Sequence, residues 1–266
     1  AARGIGYAIS QYMAKNGTSH NIALSDIDYD AVCKAAKALR TEHSQINVFP
    51  VRMDVTNEES VKEGFDKVKN ELGPLNILVA NAGVQHIEET ATLSLENWKK
   101  VTAIHLDGSF LTSREAIRQI QAENELFRKS NPSDDLLVPG GSIVYIGSVH
   151  SHLSSPYKSP YCSAKHGILG LSRAVAKEYA LENIRSNVVC PGAVRTDLIN
   201  NQIPLLAKEQ GITEQEAIHK YFLSTTIDNR FTEAEEVAEA VAFFATRKTC
   251  SMSGQSLIVS HGWHMS

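Results

Sequence analysis

Tyr161 and Lys165 stand four residues apart in a segment predicted to be helical, so both side chains project from one helix face. A tyrosine and a lysine at this spacing arise readily by chance, and the pair alone does not define a site. Ser148 strengthens the case, because this serine follows the predicted strand over 143–147 and precedes the loop into the helix. A hydroxyl at the end of a strand, facing such a pair, makes a proton-transfer group.

These three residue types suit the oxidation of a secondary alcohol, in which a base takes the hydroxyl proton while a hydride leaves carbon. A phenol has an ordinary pKa of about 10, which is too high for a base near neutral pH. A neighbouring ammonium and the positive ring of an oxidised nicotinamide favour the phenolate, and lowering the pKa by about two to three units requires ~3–4 kcal/mol of stabilisation. We therefore expect Tyr161 to be the general base, Lys165 to lower its pKa, and Ser148 to orient the substrate oxygen.

The elements that must position these residues alternate between strands and helices. Short apolar runs predict strands over 21–26, 48–51, 75–80, 142–146, 187–190 and 256–260. Apolar residues at helical spacing predict helices between them, including helices over 94–128, 160–182 and 233–246. Because no repeat, linker or shift in composition interrupts the alternation, it predicts one α/β domain over 1–266. Its sheet should be doubly wound and mostly parallel, with helices on both faces.

Ligands of such a sheet bind at the carboxyl ends of the strands, where the candidate residues fall. The segment 193–230 contains no clean strand, and we expect it to form a helical lid over the substrate. Asn131 and the four residues after it are expected to break the chain between the long helix and the next strand.

The composition excludes several classes of protein. A hydrophobic content of 42% is too high for a disordered chain, and a net charge of −4 provides no basic field for nucleic acid or anionic membrane. No apolar run approaches the roughly 20 residues that span a bilayer, and no secretory signal is visible at the start. The four cysteines lack CxxC spacing and suit a reducing, cytoplasmic setting: Cys33, Cys162, Cys190 and Cys250.

A glycine-rich segment at the start of the chain is a candidate phosphate-binding loop. Gly4, Ile5 and Gly6 open the first predicted helix, where free N–H groups and the helix dipole favour a pyrophosphate. Glycines at a helix start are more often simple turn residues, so this signal is weak alone. The motif also requires a strand before the loop, and we expect that strand and a further glycine to precede Ala1.

Asp26 ends the next predicted strand, 20 residues after Gly6. A carboxylate there can accept hydrogen bonds from an adenosine ribose and repel a 2′-phosphate, which favours NAD over NADP. The alternative is that Asp26, like Asp28, caps the helix that follows. Arg3 points the other way, since a cation in the loop can serve a 2′-phosphate.

In order and spacing, several motifs together resemble the short-chain dehydrogenase/reductase family. They are the Gly4–Gly6 loop, Asp54-Val55, Asn81-Ala82-Gly83, Ser148, Tyr161-x-x-x-Lys165 and Pro191-Gly192. The resemblance implies a Rossmann-type sheet, a homotetramer and NAD held by these segments together with Val194 and Thr196. It assigns Tyr161 as the base and Lys165 as a ligand of the cofactor ribose as well.

The chain departs from the family pattern at two positions. His105 stands where the family places an asparagine that relays protons through water, and we expect the imidazole to keep this role. Ala193 replaces a tryptophan after the Pro191-Gly192 turn, which changes the size of the pocket.

Within the family, the chain is most similar to members that oxidise D-3-hydroxybutyrate. The residues that carry this similarity could clamp one carboxylate around the cation of Lys158, with Trp263 closing on the substrate methyl group: Gln85, His150, Lys158, Gln202 and Trp263. Read singly, Lys158 is equally a solvated loop lysine and Gln202 a surface residue. His150 and His152 lack a third ligand of suitable spacing, so we expect no metal.

The expected reaction is NAD-dependent oxidation of a small 3-hydroxy acid, D-3-hydroxybutyrate foremost, to its 3-oxo acid. Two alternatives stay open at this point. Another family reaction could use a sugar acid, a cyclic alcohol or a 3-oxoacyl thioester, because loops that select the substrate cannot be read from one sequence. The chain could instead be an inactive nucleotide sensor or scaffold, although such a protein has no need of Ser148, Tyr161 and Lys165 together.

Overall fold

Parallel strands form the frame of the protein. The computed structural model describes residues 1–131, 138–247 and 251–265. In these ranges the strands are β1 (Asn21–Asp26), β2 (Asn47–Arg52), β3 (Ile77–Ala80), β4 (Gly141–Ile146), β5 (Ile184–Pro191) and β6 (Ser256–Val259). They pair in two groups, β1-β2 and β3-β4-β5-β6, and every pairing is parallel. The prediction of an α/β fold with a parallel sheet is confirmed.

Helices cover both faces of the strands. They are α1 (Gly4–Lys15), α2 (Tyr29–Glu42), α3 (Glu58–Leu72), α4 (Leu95–Thr102), α5 (Gly108–Ser130), α6 (Ser159–Glu178), α7 (Asp197–Asn200), α8 (Ile203–Gln210), α9 (Glu214–Ile218) and α10 (Ala234–Thr246). Polar side chains fix where several begin: Asp28 accepts a hydrogen bond from the Ala31 N–H at α2, and Asn57 one from the Ser60 N–H at α3.

The core has two sides because side chains alternate along each strand. In β4, Ile143 and Tyr145 pack with the apolar faces of α5 and α6, whereas Val144 and Ile146 join the core formed with α1, α2 and α10. All residues of β4 and β5 are buried. This burial on both faces explains why these strands read as continuous apolar runs in the sequence. Ile22 and Leu24 of β1 pack in the same core as Val144 and Ile146. This core therefore joins the two groups of strands.

Several boundaries differ from the sequence expectation. The predicted helix over 94–128 is interrupted by a π-helical turn, Ala103–Asp107, between α4 and α5. The helix predicted over 160–182 stops at Glu178 and continues as a short 3-10 turn, Ala180–Glu182. β5 is longer than the predicted 187–190, because it extends in both directions along β4.

The segment 193–230 is mainly helical, as expected. It contains α7, α8, α9 and a second π-helical turn, His219–Leu223, and an isolated bridge joins Val194 to Thr232. Asn131 ends α5, but the rest of the predicted break, 132–135, lies outside the described residues, as does Cys250. Cys33, Cys162 and Cys190 are free thiols.

Candidate active site

The carboxyl ends of the strands border a cavity of about 640 Å³. Its lining comes from the loop before α1, the ends of β3, β4 and β5, helix α6, the segment 193–230 and the C-terminal segment. All predicted catalytic and substrate residues line it: Gln85, His105, Ser148, His150, Lys158, Tyr161, Lys165, Gln202 and Trp263. The fold thus brings together side chains from positions 85 to 263 of the chain.

Ser148 and Tyr161 form the hydrogen-bonded centre of the site. Ser148 caps a 3-10 turn, Val149–Ser151, that directly follows β4, and it is 5% exposed. Tyr161 lies in the first turn of α6, where its ring borders the cavity and its hydroxyl pairs with Ser148. Burial raises the pKa of Tyr161 to about 12, although the Ser148 hydrogen bond acts to lower it.

Lys165 lies one turn along the same helix and contacts the protein backbone. Its Nζ donates to the Ile146 carbonyl oxygen at 2.6 Å and lies 5.5 Å from the centroid of the Tyr161 ring. Burial lowers the pKa of Lys165 to about 8. In the protein without cofactor, burial dominates and raises the pKa of Tyr161. The expectation that Lys165 and the positive nicotinamide ring together lower this pKa stays a prediction.

His105 is held in the π-helical turn and is 2% exposed. Its Nε2 lies 2.7 Å from the Val84 carbonyl oxygen and 3.0 Å from the Val84 amide nitrogen, while Nδ1 has no hydrogen-bond partner within the described structure. Burial, followed by the charge of Lys165, lowers the pKa of His105 to about 3. A neutral, buried imidazole bound to the backbone at one nitrogen is not itself a proton carrier near neutral pH. Its role as a water-bound relay stays a prediction.

Gly83 explains how His105 fits at the end of β3. A Cβ atom on Gly83 would lie 2.5 Å from the His105 Cε1 atom, so a side chain there would displace the ring. The sequence argument attributed this glycine to the cofactor alone. The structure adds a packing reason, because the absent side chain leaves the space that the imidazole fills.

His150 bridges two serines. Its Nδ1 lies 3.2 Å from Ser148 Oγ, and its Nε2 lies 2.7 Å from Ser155 Oγ. The ring also packs edge-on against Tyr161 and Trp263, with centroids 5.8 and 5.6 Å apart. Both ring nitrogens are therefore engaged within the protein in this conformation. The clamp role of His150 toward a substrate carboxylate stays a prediction.

Lys158 precedes α6 and is half-buried at the edge of the cavity. Burial lowers the pKa of its ammonium group, and in the described part of the chain it forms no salt bridge. The reading of Lys158 as a fully solvated loop lysine is wrong. A cation in this state favours an anionic ligand over water.

The cofactor residues divide into two groups. Those that line the cavity are Gly4, Ile5, Asn81, Gly83, Pro191, Gly192, Val194 and Thr196. Those that do not are Gly6, Asp26, Asp54, Val55 and Ala82. The Asp54 carboxylate accepts hydrogen bonds from the N–H and hydroxyl of Thr56, at 2.9 and 2.7 Å. It therefore closes its own turn.

Asp26 faces the glycine loop rather than capping α2. Its carboxylate accepts hydrogen bonds from the Ala2 N–H at 3.0 Å and the Asp28 N–H at 3.2 Å. Asp28 is the residue that caps α2. Burial opposes ionisation of Asp26, whereas the hydrogen bonds from the backbone N–H groups of Ala2 and Asp28 favour it. The alternative reading of Asp26 as a helix cap is therefore wrong.

These features fit a dinucleotide. Gly4 adopts a positive φ of 59°, a backbone conformation that glycine takes without strain, and α1 begins at this residue. One continuous cavity runs from this loop to Ser148, Tyr161 and Lys165, and the ionised Asp26 stands beside the loop. The donor and acceptor set matches the phosphate and ribose of a nucleotide at one end and a reacting centre at the other.

The lining also includes residues that the sequence analysis missed, among them four from two helical segments. Asn97 and Lys100 come from α4, and Tyr221 and Phe222 from the second π-helical turn. Nothing in their local sequence marks them, because their approach to the cavity depends on how two helical segments fold over it. Two negative findings hold for the described ranges: no group of three or more His, Cys, Asp or Glu is placed to hold a metal ion, and no helix is long and apolar enough to cross a membrane.

The fold and this cavity define an oxidoreductase of the dinucleotide-binding class. A family model described as enoyl-(acyl carrier protein) reductase matches residues 1–264, and the chain belongs to the short-chain dehydrogenase/reductase family. Members of this family typically use a nicotinamide cofactor and act on small molecules. The predicted family resemblance is confirmed.

The relatives of the chain carry different activities in their names. The D-beta-hydroxybutyrate dehydrogenase of Rhizobium meliloti is 32% identical over 266 residues, covering 98% of this chain and 94% of that protein. The 3-oxoacyl-(acyl-carrier-protein) reductase of Haemophilus influenzae is 28% identical over 268 residues, covering 100% of this chain and 96% of that protein. A short-chain type dehydrogenase/reductase structure from Mycobacterium marinum superposes with a TM-score of 0.82 at 23% identity, covering 98% of this chain and 92% of that one, and supports the fold.

Proposed function

We propose that the protein oxidises D-3-hydroxybutyrate to acetoacetate with NAD. The observation that carries this proposal is Lys158, a half-buried cation with no acidic partner in the described structure, at the cavity that holds Ser148 and Tyr161. A small hydroxy acid supplies what this arrangement lacks, an anion at one end and a hydroxyl at the other. The similarity to a D-beta-hydroxybutyrate dehydrogenase supports the same substrate.

The side chains have separate tasks in this reaction. Lys158 holds the carboxylate, assisted by the amides of Gln85 and Gln202, and Trp263 closes on the methyl group. Ser148 donates a hydrogen bond to the alcohol oxygen, and Tyr161 takes the hydroxyl proton. A bound oxidised nicotinamide supplies the hydride acceptor and a positive charge. Since burial otherwise keeps the pKa of Tyr161 at about 12, that charge together with Lys165 must favour the phenolate.

The choice of NAD follows from Asp26. The Asp26 carboxylate lies beside the loop, where it accepts from the Ala2 N–H, and a carboxylate there could accept hydrogen bonds from ribose hydroxyls and would repel a 2′-phosphate. Gly4, Ile5, Asn81 and the Pro191–Thr196 stretch would hold the rest of the cofactor. Arg3 also lines the cavity, and it is the residue through which NADP could be accepted.

A second candidate is reduction of a 3-oxoacyl thioester. It is favoured by the description of the matching family model and by the relative from Haemophilus influenzae. A thioester carries no carboxylate for Lys158, and its long acyl carrier must enter past Tyr221 and Phe222. These features rank it second.

We extend the proposal to the assembly and the lid. Segment 193–230 is proposed to cover the substrate, since Tyr221 and Phe222 border the cavity. A cytoplasmic homotetramer is proposed because α5 exposes Phe110 and Leu126, which subunit contacts would bury, and because the described cysteines are unpaired. Gel filtration with light scattering tests the tetramer, and a monomer would contradict it.

A substrate panel tests the activity. The rate of nicotinamide reduction is measured with D- and L-3-hydroxybutyrate, gluconate and cyclohexanol, and its oxidation with an acetoacetyl thioester. We expect the highest kcat/KM for D-3-hydroxybutyrate with NAD. A preference for the thioester would favour the second candidate, and no turnover of any compound by folded protein that binds NAD would favour the inactive nucleotide sensor.

A further inference from the structure

Ser155 contacts His150, the neighbour of Ser148, without lining the cavity. It lies half-buried in the loop before α6 and is hydrogen-bonded to Nε2 of His150 at 2.7 Å. On the other side of the ring, Nδ1 lies 3.2 Å from Ser148 Oγ. The three side chains therefore form a continuous row, Ser155–His150–Ser148, which ends at Tyr161.

The hydrogen-bonding capacity of Ser148 limits how this row can be arranged. A serine hydroxyl has one proton and two acceptor lone pairs. The backbone N–H of His150 donates to Ser148 Oγ at 3.2 Å, and the Ser151 N–H donates to it in the capping box of the 3-10 turn. If Nδ1 carries the proton of the imidazole, it cannot accept from Ser148, and the Ser148 proton is left for Tyr161 and the cavity. If Nε2 carries it, Ser148 instead donates to Nδ1 and offers no proton to a substrate oxygen.

We propose that Ser155 is a positioning residue that donates to Nε2 of His150 and holds the imidazole in the Nδ1-protonated tautomer, which fixes Ser148 as a hydrogen-bond donor to the substrate oxygen. This inference rests on the proposed function only for the identity of the substrate. The positioning role itself is a property of the free protein.

The surroundings of His150 keep the imidazole neutral, as the arrangement requires. Burial first, then the positive charges of Lys158 and His166, lower the pKa of His150 to about 4. The neighbouring aromatic rings of Tyr161 and Trp263 restrict its rotation, since both pack edge-on at less than 6 Å between centroids. For a neutral ring in a fixed orientation, the only remaining variable is whether Nδ1 or Nε2 carries the proton.

Nitrogen-15 NMR of the free protein tests the tautomer without any substrate. The His150 signals are identified by their loss in His150→Gln, and the protonated nitrogen is read from the ring chemical shifts at pH 7. We expect a neutral ring protonated at Nδ1 in the wild type and a mixture or the Nε2-protonated form in Ser155→Ala. A wild-type ring protonated at Nε2 would overturn the proposal.

Steady-state kinetics tests the consequence for Ser148. Loss of one neutral hydrogen bond predicts a fall in kcat of about three- to tenfold for Ser155→Ala, with KM nearly unchanged. Ser155→Thr keeps a hydroxyl and should retain most of the rate, and Ser154→Ala, at the exposed neighbouring position, is the matched control. An unchanged kcat in Ser155→Ala, or an equal fall in Ser154→Ala, would refute the positioning role. A wild type without turnover would instead refute the proposed function, while the NMR result would still decide the tautomer.

Discussion

Replacing Lys158 by methionine removes the charge at the edge of the cavity while keeping an apolar stem of similar length. Lys158 has no salt-bridge partner in the described residues, and burial already lowers the pKa of its ammonium. A substrate carboxylate would therefore gain a charge-assisted hydrogen bond with little competition. Such a bond contributes about 1.5–3 kcal/mol, which corresponds to roughly a 10- to 150-fold loss in kcat/KM for a carboxylated substrate.

The assay compares two substrates in the same variants. D-3-hydroxybutyrate carries the carboxylate and 2-butanol does not, so the Lys158→Met loss should fall on the first and spare the second to within about threefold. Lys99→Met provides the matched control, because Lys99 is an exposed lysine that does not line the cavity. Equal losses on both substrates would refute the carboxylate clamp, as would a loss below about threefold on 3-hydroxybutyrate.

Three other perturbations address cofactor choice, packing and pH. Asp26→Ala should reduce the ratio of kcat/KM with NAD to kcat/KM with NADP. An unchanged ratio would show that Asp26 does not bind the ribose. Gly83→Ala should lower the free energy of unfolding in urea by about 1–3 kcal/mol, since its Cβ would lie 2.5 Å from the His105 ring; equal stability would contradict the packing argument. Asp228 raises the pKa of His261 through a hydrogen bond, so the stability that it adds is fully present below about pH 6.5 and lost as the pH rises through the raised pKa. The difference in melting temperature between wild type and Asp228→Asn should shrink over that rise, and a constant difference would show that charge is not involved.

The sequence predicted most of the fold, because the relevant signals are local. The four apolar positions of α2 recur at helical spacing, and all of them are buried: Val32, Ala35, Ala36 and Leu39. Short apolar runs gave β1 and β4 almost to the residue for the same reason. The π-helical turn at Ala103–Asp107 was not predicted, since one extra residue within a helix leaves no mark on hydrophobic periodicity.

The catalytic residues of the site were also predictable, but the electrostatics of the site were not. Motif positions brought Ser148, Tyr161 and Lys165 to one cavity, as strand ends in a parallel sheet must. The raised pKa of Tyr161 depends on burial from all sides, and the two hydrogen bonds of the His150 ring depend on a loop conformation. Neither can be read from spacing along the chain.

Single-turnover hydride transfer in the wild type and in Tyr161→Phe tests the central claim most directly. The reduced-nicotinamide absorbance is followed after mixing enzyme and NAD with D-3-hydroxybutyrate, and NAD binding is measured separately by calorimetry. The Ser148–Tyr161 centre predicts a rapid rise in wild type and at least a hundredfold slower rise, on the order of a lost general base, in a variant that still binds NAD. Hydride transfer at an unchanged rate in Tyr161→Phe would contradict the assignment of Tyr161 as the base.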